Sequence, residues 1–197
     1  MGTKQHTVPI LPRGLSLCGI CFLLQLGFGE MTAQDPGGEA TPCLECHSDL
    51  GQWIARPGMT VHAAITDGDC TMCHDPHGDD GHSQLVDHYS SEPYVAAVAD
   101  SFSLCFLCHD TGLLSEEETD WATGFRDGTR NLHRVHIQGE KGRNCTLCHD
   151  MHASPNPFLV ADRVPFGSWQ MEMKYEKLES GGSCQPGCHG SLTYKRE

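Results

Sequence analysis

The longest apolar stretch lies near the start of the chain. Residues 15–28 are apolar apart from four small or polar positions. Lys4 and Arg13 precede this stretch, and small residues follow it. It is short for a membrane span, and a sparse positive region, an apolar run and small residues come in the order typical of an export signal. We predict an export signal over residues 1–33, with an uncleaved membrane anchor as the alternative.

The remaining pattern predicts short elements joined by loops. No later segment is apolar enough to cross a bilayer, so no membrane span is expected in the mature chain. The 197 residues include 22 Gly and 11 Pro, and only 38% of them are hydrophobic and 7% aromatic. This is a poor supply for a large protein core, and small loop-rich folds usually need covalent staples or a bound group.

Cysteine spacing indicates what that bound group is. Of the 12 cysteines, Cys18 and Cys21 lie in the predicted signal, and the other ten form five clusters. In every cluster a histidine directly follows the second cysteine. The clusters are Cys43-Leu-Glu-Cys46-His47, Cys70-Thr-Met-Cys73-His74, Cys105-Phe-Leu-Cys108-His109, Cys145-Thr-Leu-Cys148-His149 and Cys184-Gln-Pro-Gly-Cys188-His189.

The first four clusters are CxxCH, the attachment motif of c-type haem. One tight backbone turn holds two thiols against the two vinyl groups of the porphyrin, and the next residue places its imidazole on the iron. Zinc ribbons, redox CxxC pairs and disulfides are the alternatives, and none of them requires that histidine. The fifth cluster is CxxxCH, in which a Pro186-Gly187 turn could absorb the extra residue. We predict five haems c, thioether bonds from all ten cysteines, and proximal ligands His47, His74, His109, His149 and His189.

An internal repeat indicates the second iron ligands. His62 and His136 precede the next motif by eight and nine residues, and His77 and His152 follow a motif histidine by three. His133 stands three residues before His136. The predicted distal ligands are therefore His62, His77, His133, His136 and His152. His82 or His88 is the substitute for one of them, and the assignment of each histidine to a haem is left open. The methionines show no repeated placement, so we interpret them as packing or surface residues.

The His-x-x-His spacing recurs three times. Residues at positions i and i+3 of a helical turn project to the same side. His133 and His136 therefore cannot bind opposite faces of one haem, and we expect each such pair to bind two irons. One short turn would then bring two haems close together, as electron hopping requires.

Three aspartates, Asp75, Asp110 and Asp150, each follow a motif histidine. Such a carboxylate could orient an imidazole or could form a local turn hydrogen bond. A 13-residue insertion in the second unit contains residues 115–118, Ser-Glu-Glu-Glu, which are typical of a capping box that opens a short helix.

We divide the chain into an export signal (1–33), a first doubled-CxxCH unit with an acidic loop (34–104), a second unit (105–152) and a C-terminal segment with the fifth haem (153–197). The predicted fold is mostly coil with short α-helices and little or no β structure, organised around a stack of five haems that replaces the hydrophobic core. Aromatic residues of the C-terminal segment are expected on haem faces or in ordinary core contacts; they are Phe158, Phe166, Trp169 and Tyr175.

The chain resembles the doubled-CxxCH family of multihaem cytochromes c, which is related to the class III cytochromes c. The resemblance covers roughly residues 41–194. It is carried by Val61-His62 through His77, by Asn131-Leu-His133 through His152, and by the tail from Val164 through Cys184. It implies motif histidines as proximal ligands and other histidines as distal ones. Relatives shuttle electrons in the periplasm, lie at the cell surface, or polymerise into extracellular filaments in which the next subunit donates a haem ligand.

We therefore expect an electron carrier that is not an enzyme, exported to the periplasm or the cell surface, with iron held by two histidines at each haem. Ligation by two histidines implies low potentials relative to His/Met haems. The formal net charge of −13 disfavours nucleic acid and suits redox partner proteins or extracellular acceptors. A filament subunit is the main alternative. A multihaem reductase is less favoured, because it requires an open iron position.

Overall fold

Short helices form where the motifs impose a tight turn. The computed structural model describes residues 41–66, 68–76 and 84–197, and the predicted signal, His77 and His82 lie outside these ranges. The described α-helices are α1 (Thr41–Cys46), α2 (Ser48–Ile54), α3 (Ser103–Phe106), α4 (Gly112–Ser115) and α5 (Leu132–Ile137). Short 3₁₀ turns cover Ala63–Ile65, Cys70–Met72, Ala99–Phe102, Cys145–Leu147 and Pro157–Leu159. No helix in the described ranges is long and apolar enough to cross a membrane.

Strands form four small antiparallel sheets in the described residues. Strand β1 (Thr60–Val61) pairs with β4 (Ala153–Ser154), and β2 (Arg126–Asp127) pairs with β3 (Arg130–Asn131). A further hairpin joins β5 (Arg163–Phe166) to β6 (Trp169–Glu172). The last sheet has the order β7 (Glu176–Leu178), β8 (Gly181–Cys184) and β9 (Leu192–Lys195).

Glycine allows the two tight hairpins to close. Gly128 and Gly167 have φ values of +57° and +60°, in the left-handed region that glycine adopts without steric cost. Each is the first residue of a two-residue turn, between β2 and β3 and between β5 and β6. Glycine at this position is typical of tight antiparallel hairpins.

The prediction of little or no β structure is wrong for the C-terminal segment. Here Val164, Met171 and Met173 are buried, at 3%, 1% and 4% exposure, while Arg163, Gln170 and Glu172 beside them are exposed. This alternation is the period of a strand with one face on a core. The segment has a long stretch without a motif, so its backbone groups pair with one another in sheets.

The helix predicted to open at Ser115 is also absent. Ser115 instead ends α4, and Glu116 is already extended. The backbone N–H of Asn131 donates to the carbonyl oxygen of Glu117 at 3.0 Å. The backbone of Glu118 forms an antiparallel β-bridge with that of Arg130. The buried Asn131 side chain also donates to the carbonyl of Glu116 at 2.8 Å. Pairing with the β3 region therefore draws the acidic run into an extended conformation.

Two small hydrophobic clusters make up the described core. One contains Phe102, Leu114 and Ile137 and packs beside the third and fourth motifs. The other belongs mainly to the C-terminal segment and contains Leu147, Ala161, Val164, Met171 and Met173. From Cys43 to Pro76, by contrast, none of the described side chains is buried.

Candidate haem sites

The four CxxCH motifs share one backbone turn. In each, the backbone N–H of the motif histidine donates to the carbonyl of the first cysteine, four residues earlier, which closes a single helical turn. The N···O distances are 2.8 Å for His47 to Cys43, 3.0 Å for His74 to Cys70, 2.9 Å for His109 to Cys105 and 3.0 Å for His149 to Cys145. This local turn brings the two thiols and the histidine of a motif together.

The fifth motif reaches a similar arrangement by another route. Cys184 ends strand β8, and the His189 N–H donates to the carbonyl of Pro186 at 3.4 Å. A Cβ atom at Gly187 would lie 2.5 Å from the Trp169 ring, so a larger residue there would have to displace that ring. The extra residue of CxxxCH is therefore accommodated in a Pro-Gly turn packed against the β5–β6 hairpin.

Four motif histidines face a second imidazole across a constant gap. The ring centroids of His74 and His152 are 6.1 Å apart and nearly parallel, at 11°. Those of His133 and His149 are 6.2 Å apart at 17°. The pairs His62–His109 and His136–His189 are 6.2 and 6.4 Å apart at 54° and 46°. Every pair joins one motif histidine to one of the histidines predicted as distal ligands.

This gap fits a metal ion between two imidazoles. Metal–imidazole bonds of about 2.0 Å, and about 1.1 Å from each ring centre to its nitrogen, place the two centroids about 6.2 Å apart. All four observed separations lie within a few tenths of an ångström of that value. The residues therefore fit a haem iron, whose other four ligands come from the porphyrin.

The spacing of His-x-x-His gives each member a different partner. On α5, His133 faces His149, whereas His136 faces His189. In the fourth motif, His149 faces His133, whereas His152, three residues later, faces His74. This is the arrangement expected if each turn connects two irons.

A large cleft connects the last three motifs. Its volume is about 440 Å³, and its walls include cysteines and histidines of the third, fourth and fifth motifs. Phe158 and Tyr175 also line it, as expected for aromatic residues on haem faces. Phe158 is 54% exposed and Trp169 50% exposed, so both rings have surface that a haem could cover.

Hydrogen bonds orient several of the imidazoles. Nδ1 of His133 lies 2.9 Å from the Thr123 hydroxyl, and Nδ1 of His149 lies 3.0 Å from the Phe158 carbonyl oxygen. Nδ1 of His136 lies 2.7 Å from the Leu132 carbonyl oxygen. An imidazole that donates from Nδ1 leaves Nε2 for the metal and is more basic as a ligand.

Tertiary structure alone brings Thr123 and Phe125 to the site. The Phe125 ring lies 5.2 Å from the His133 ring and 5.5 Å from the His136 ring. Neither residue belongs to a motif or repeat, so no sequence pattern pointed to either one. Together they contact both histidines of α5 and help to hold their rings in place.

The local environment favours neutral imidazoles. Burial, helped by the neighbouring histidines His149, His136 and His109, lowers the pKa of His133 to about 3. Burial is also the main cause of the lowered pKa values of His62, His136, His149 and His152. The neutral imidazole is the form that binds a metal, so the fold holds these side chains in the ligating state.

In the described residues, the cysteines are not arranged as the disulfide or zinc interpretation requires. There the ten thiols form no disulfide. No three His, Cys, Asp or Glu side chains in the described ranges are grouped as a structural zinc site requires. A pair of imidazoles with two nearby thiols suits covalent haem instead.

Two of the aspartates form local turn hydrogen bonds. Asp110 Oδ1 accepts from the Gly112 N–H at 2.7 Å, and Asp150 Oδ1 accepts from the His152 N–H at 3.1 Å. The turn interpretation is therefore the one observed for both. Asp150 in this way fixes the backbone of a predicted distal ligand.

One motif has no partner imidazole in the described part of the chain. No ring of residues 41–66, 68–76 or 84–197 faces His47 at the spacing of the other pairs. The predicted ligand His77 and the substitute His82 lie outside the described residues. The other substitute, His88, is exposed and faces no motif histidine.

Motif turns of one geometry and imidazole pairs of one spacing define a multihaem c-type cytochrome, a class that transfers electrons and is typically exported. A comparison with protein families agrees. The family model described as the doubled CXXCH motif matches residues 62–113 and 136–166. The resemblance to the doubled-CxxCH family is thereby confirmed. Comparisons with curated proteins and with solved structures gave no match.

Proposed function

We propose that this protein is a pentahaem cytochrome c that carries electrons by outer-sphere transfer through closely packed haems with two histidine ligands each. The observation that carries the proposal is the common spacing of the four imidazole pairs, 6.1–6.4 Å between ring centroids. Two histidines close both axial positions of an iron, so the iron can change oxidation state without exchanging a ligand. Ligation by two histidines, without methionine, would give low potentials.

The placement of the thiols supports a continuous path. Thiols of successive motifs lie close enough to interact electrostatically, from the first motif to the fifth. The neighbours are Cys43 with Cys70, Cys73 with Cys105 and Cys108, Cys105 with Cys145, and Cys148 with Cys184 and Cys188. Haems attached at these positions would follow one another in the order of the sequence.

Mass and spin state test the proposal together. Denaturing mass spectrometry should give the mass of the processed chain plus five haems. Electron paramagnetic resonance of the oxidised protein should show low-spin iron, and a reductive titration should take up five electrons per chain. Four haems would exclude attachment at the CxxxCH motif, and colourless protein would overturn the proposal entirely.

We assign the distal position of the first haem to His77. No ring of the described residues faces His47, and a partner imidazole could come from His77 or His82, which lie outside those residues, or from another molecule. His74 already faces His152. A histidine three residues later would point to the same side and reach a different iron.

The lack of a facing imidazole for His47 among the described residues also favours a second candidate function, a subunit of an extracellular filament. In that case a histidine of a neighbouring copy would complete the first haem, and conduction would continue between copies. His77→Ala in the monomeric protein distinguishes the two candidates. A new high-spin haem would support the in-chain ligand. An unchanged spectrum, with filaments in electron micrographs of secreted material, would support the assembly.

Electrostatic attraction should bring redox partners to this acidic chain. With a formal net charge of −13, it would bind basic redox proteins or positively charged extracellular acceptors, in the periplasm or at the cell surface. The dependence of electron-transfer rate on ionic strength would test this. Cyanide binding, or a high-spin signal before any substitution, at a haem other than the first would instead indicate a reductase.

A further inference from the structure

A two-residue sheet joins parts of the chain that lie far apart in sequence. Thr60 pairs with Ser154, and Val61 pairs with Ala153. The ladder continues with the His62 N–H, which donates to the carbonyl of His152 at 3.0 Å. The two histidines are therefore neighbours along the backbone of this strand pair, although one belongs to the first repeat unit and the other to the second.

One strand of the ladder is buried, whereas the other is half-buried. Ala153 and Ser154 are both fully buried. The Ser154 hydroxyl donates to the carbonyl of Val160 and accepts from the Asn156 N–H. The Trp53 indole N–H donates to the carbonyl of Ala153 at 3.4 Å, so it holds the first unit against β4. Hydrogen-bonded backbone with one buried strand holds the histidine positions.

The side chains of the two histidines cross between the units. His62, from the first unit, faces the third-motif histidine His109 at 6.2 Å between ring centroids. His152, from the second unit, faces the second-motif histidine His74 at 6.1 Å. Each unit therefore supplies an imidazole to a motif of the other.

We propose that the β1–β4 pair is a clasp through which each unit provides a distal ligand to the other. His62 completes the haem of the third motif, and His152 completes the haem of the second. This inference rests on the proposed function and specifies which iron each histidine serves. Its consequence is that neither unit can complete its haems alone. The second and third haems are then joined by backbone hydrogen bonds as well as by proximity, which fixes the electron step between the units.

Combining ligand and attachment variants tests the clasp. His62→Ala and His152→Ala should each convert one haem per molecule from low-spin to high-spin iron. In a Cys105→Ser/Cys108→Ser background, which lacks the third haem, His62→Ala should add no high-spin iron, whereas His152→Ala should still add one. In a Cys70→Ser/Cys73→Ser background the two results should be reversed. Val98→Ala is the control, because this side chain is 54% exposed and is not a candidate iron ligand.

The possible failures are distinguishable. If no histidine variant produces high-spin iron in the complete protein, the proposed function itself is overturned. If His62→Ala adds high-spin iron when the third haem is missing, only the clasp is overturned. Because attachment variants can misfold, nuclear magnetic resonance of the reduced wild-type protein provides a second measurement. Ring protons of His62 should show contacts with the thioether groups of Cys105 and Cys108, and contacts with those of Cys70 and Cys73 would contradict the proposal.

Discussion

The region of the first two motifs and the C-terminal segment are held together differently. From Cys43 to Pro76 none of the described side chains is buried, and the elements are two short helices, a two-residue strand and 3₁₀ turns. From Arg163 to Lys195 the chain forms a hairpin and a three-stranded sheet, and Val164, Met171 and Met173 are buried. The first region has no core of its own, whereas the second has both ladders and a core.

The contrast indicates that attached haem replaces protein core contacts in the first region. A segment with two closely spaced motifs can bury apolar surface against porphyrin, so it needs few protein contacts. A segment with a single motif must satisfy its own backbone groups, and antiparallel pairing does so. We therefore expect folding of the first region to depend on haem, and folding of the last region to depend mainly on the chain.

Loss of a haem should have the largest effect and should differ between the regions. In Cys70→Ser/Cys73→Ser we expect one haem fewer by mass and rapid proteolysis within residues 41–76. In Cys184→Ser/Cys188→Ser we expect one haem fewer but continued protection of residues 163–195. Limited proteolysis with mass mapping measures both variants. Equal cleavage of both regions in both variants would remove the distinction.

Truncation of the C-terminal core should have the next largest effect. Met171 is only 1% exposed and packs in the cluster with Val164 and Met173. Met171→Ala should lower the free energy of unfolding by about 2–5 kcal/mol. Gln170→Ala, an exposed neighbour on the same strand, is the control and should change it by less than about 0.5 kcal/mol. Chemical denaturation followed by circular dichroism gives both values, and a loss under about 1 kcal/mol would mean that this core contributes little.

Acidification to about pH 5.5 should have the smallest effect and should act on the haem sites. Burial lowers the pKa of His133 from 6.5 to about 3, so the unfolded chain takes up a proton below pH 6.5 that the folded chain does not. The contribution of His133 to the free energy of unfolding should thus be fully present above about pH 6.5 and should decrease as the pH falls toward 3. Each pH unit in that window costs at most about 1.4 kcal/mol for this histidine.

The matched variant for the acid effect is His133→Gln, which cannot take up that proton. Its stability should depend less steeply on pH than that of the wild type between pH 6.5 and 4. Hydrogen exchange resolved by region should show that the cluster of Val164, Met171 and Met173, whose side chains carry no titratable group, loses protection last. A wild-type unfolding midpoint that stays constant over this range would contradict the prediction.

Features confined to a few residues could be predicted from the sequence. A CxxCH motif needs only one turn to bring its thiols and imidazole together, and the observed bond from the motif histidine to the first cysteine is such a turn. His62, His133, His136 and His152 were selected from spacing alone, and each faces a motif histidine. The C-terminal sheets were missed because the prediction gave haem the role of the core along the whole chain.

The sequence by itself determined the five attachment motifs and the candidate ligands, because thioether and imidazole geometry depends on neighbours within a few residues. Only the tertiary structure decided which imidazoles face each other. The pairs His62–His109 and His74–His152 join residues that are 47 and 78 positions apart. Such pairs depend on long-range contacts, here the β1–β4 ladder, and spacing along one chain carries no information about which distant strand will form it.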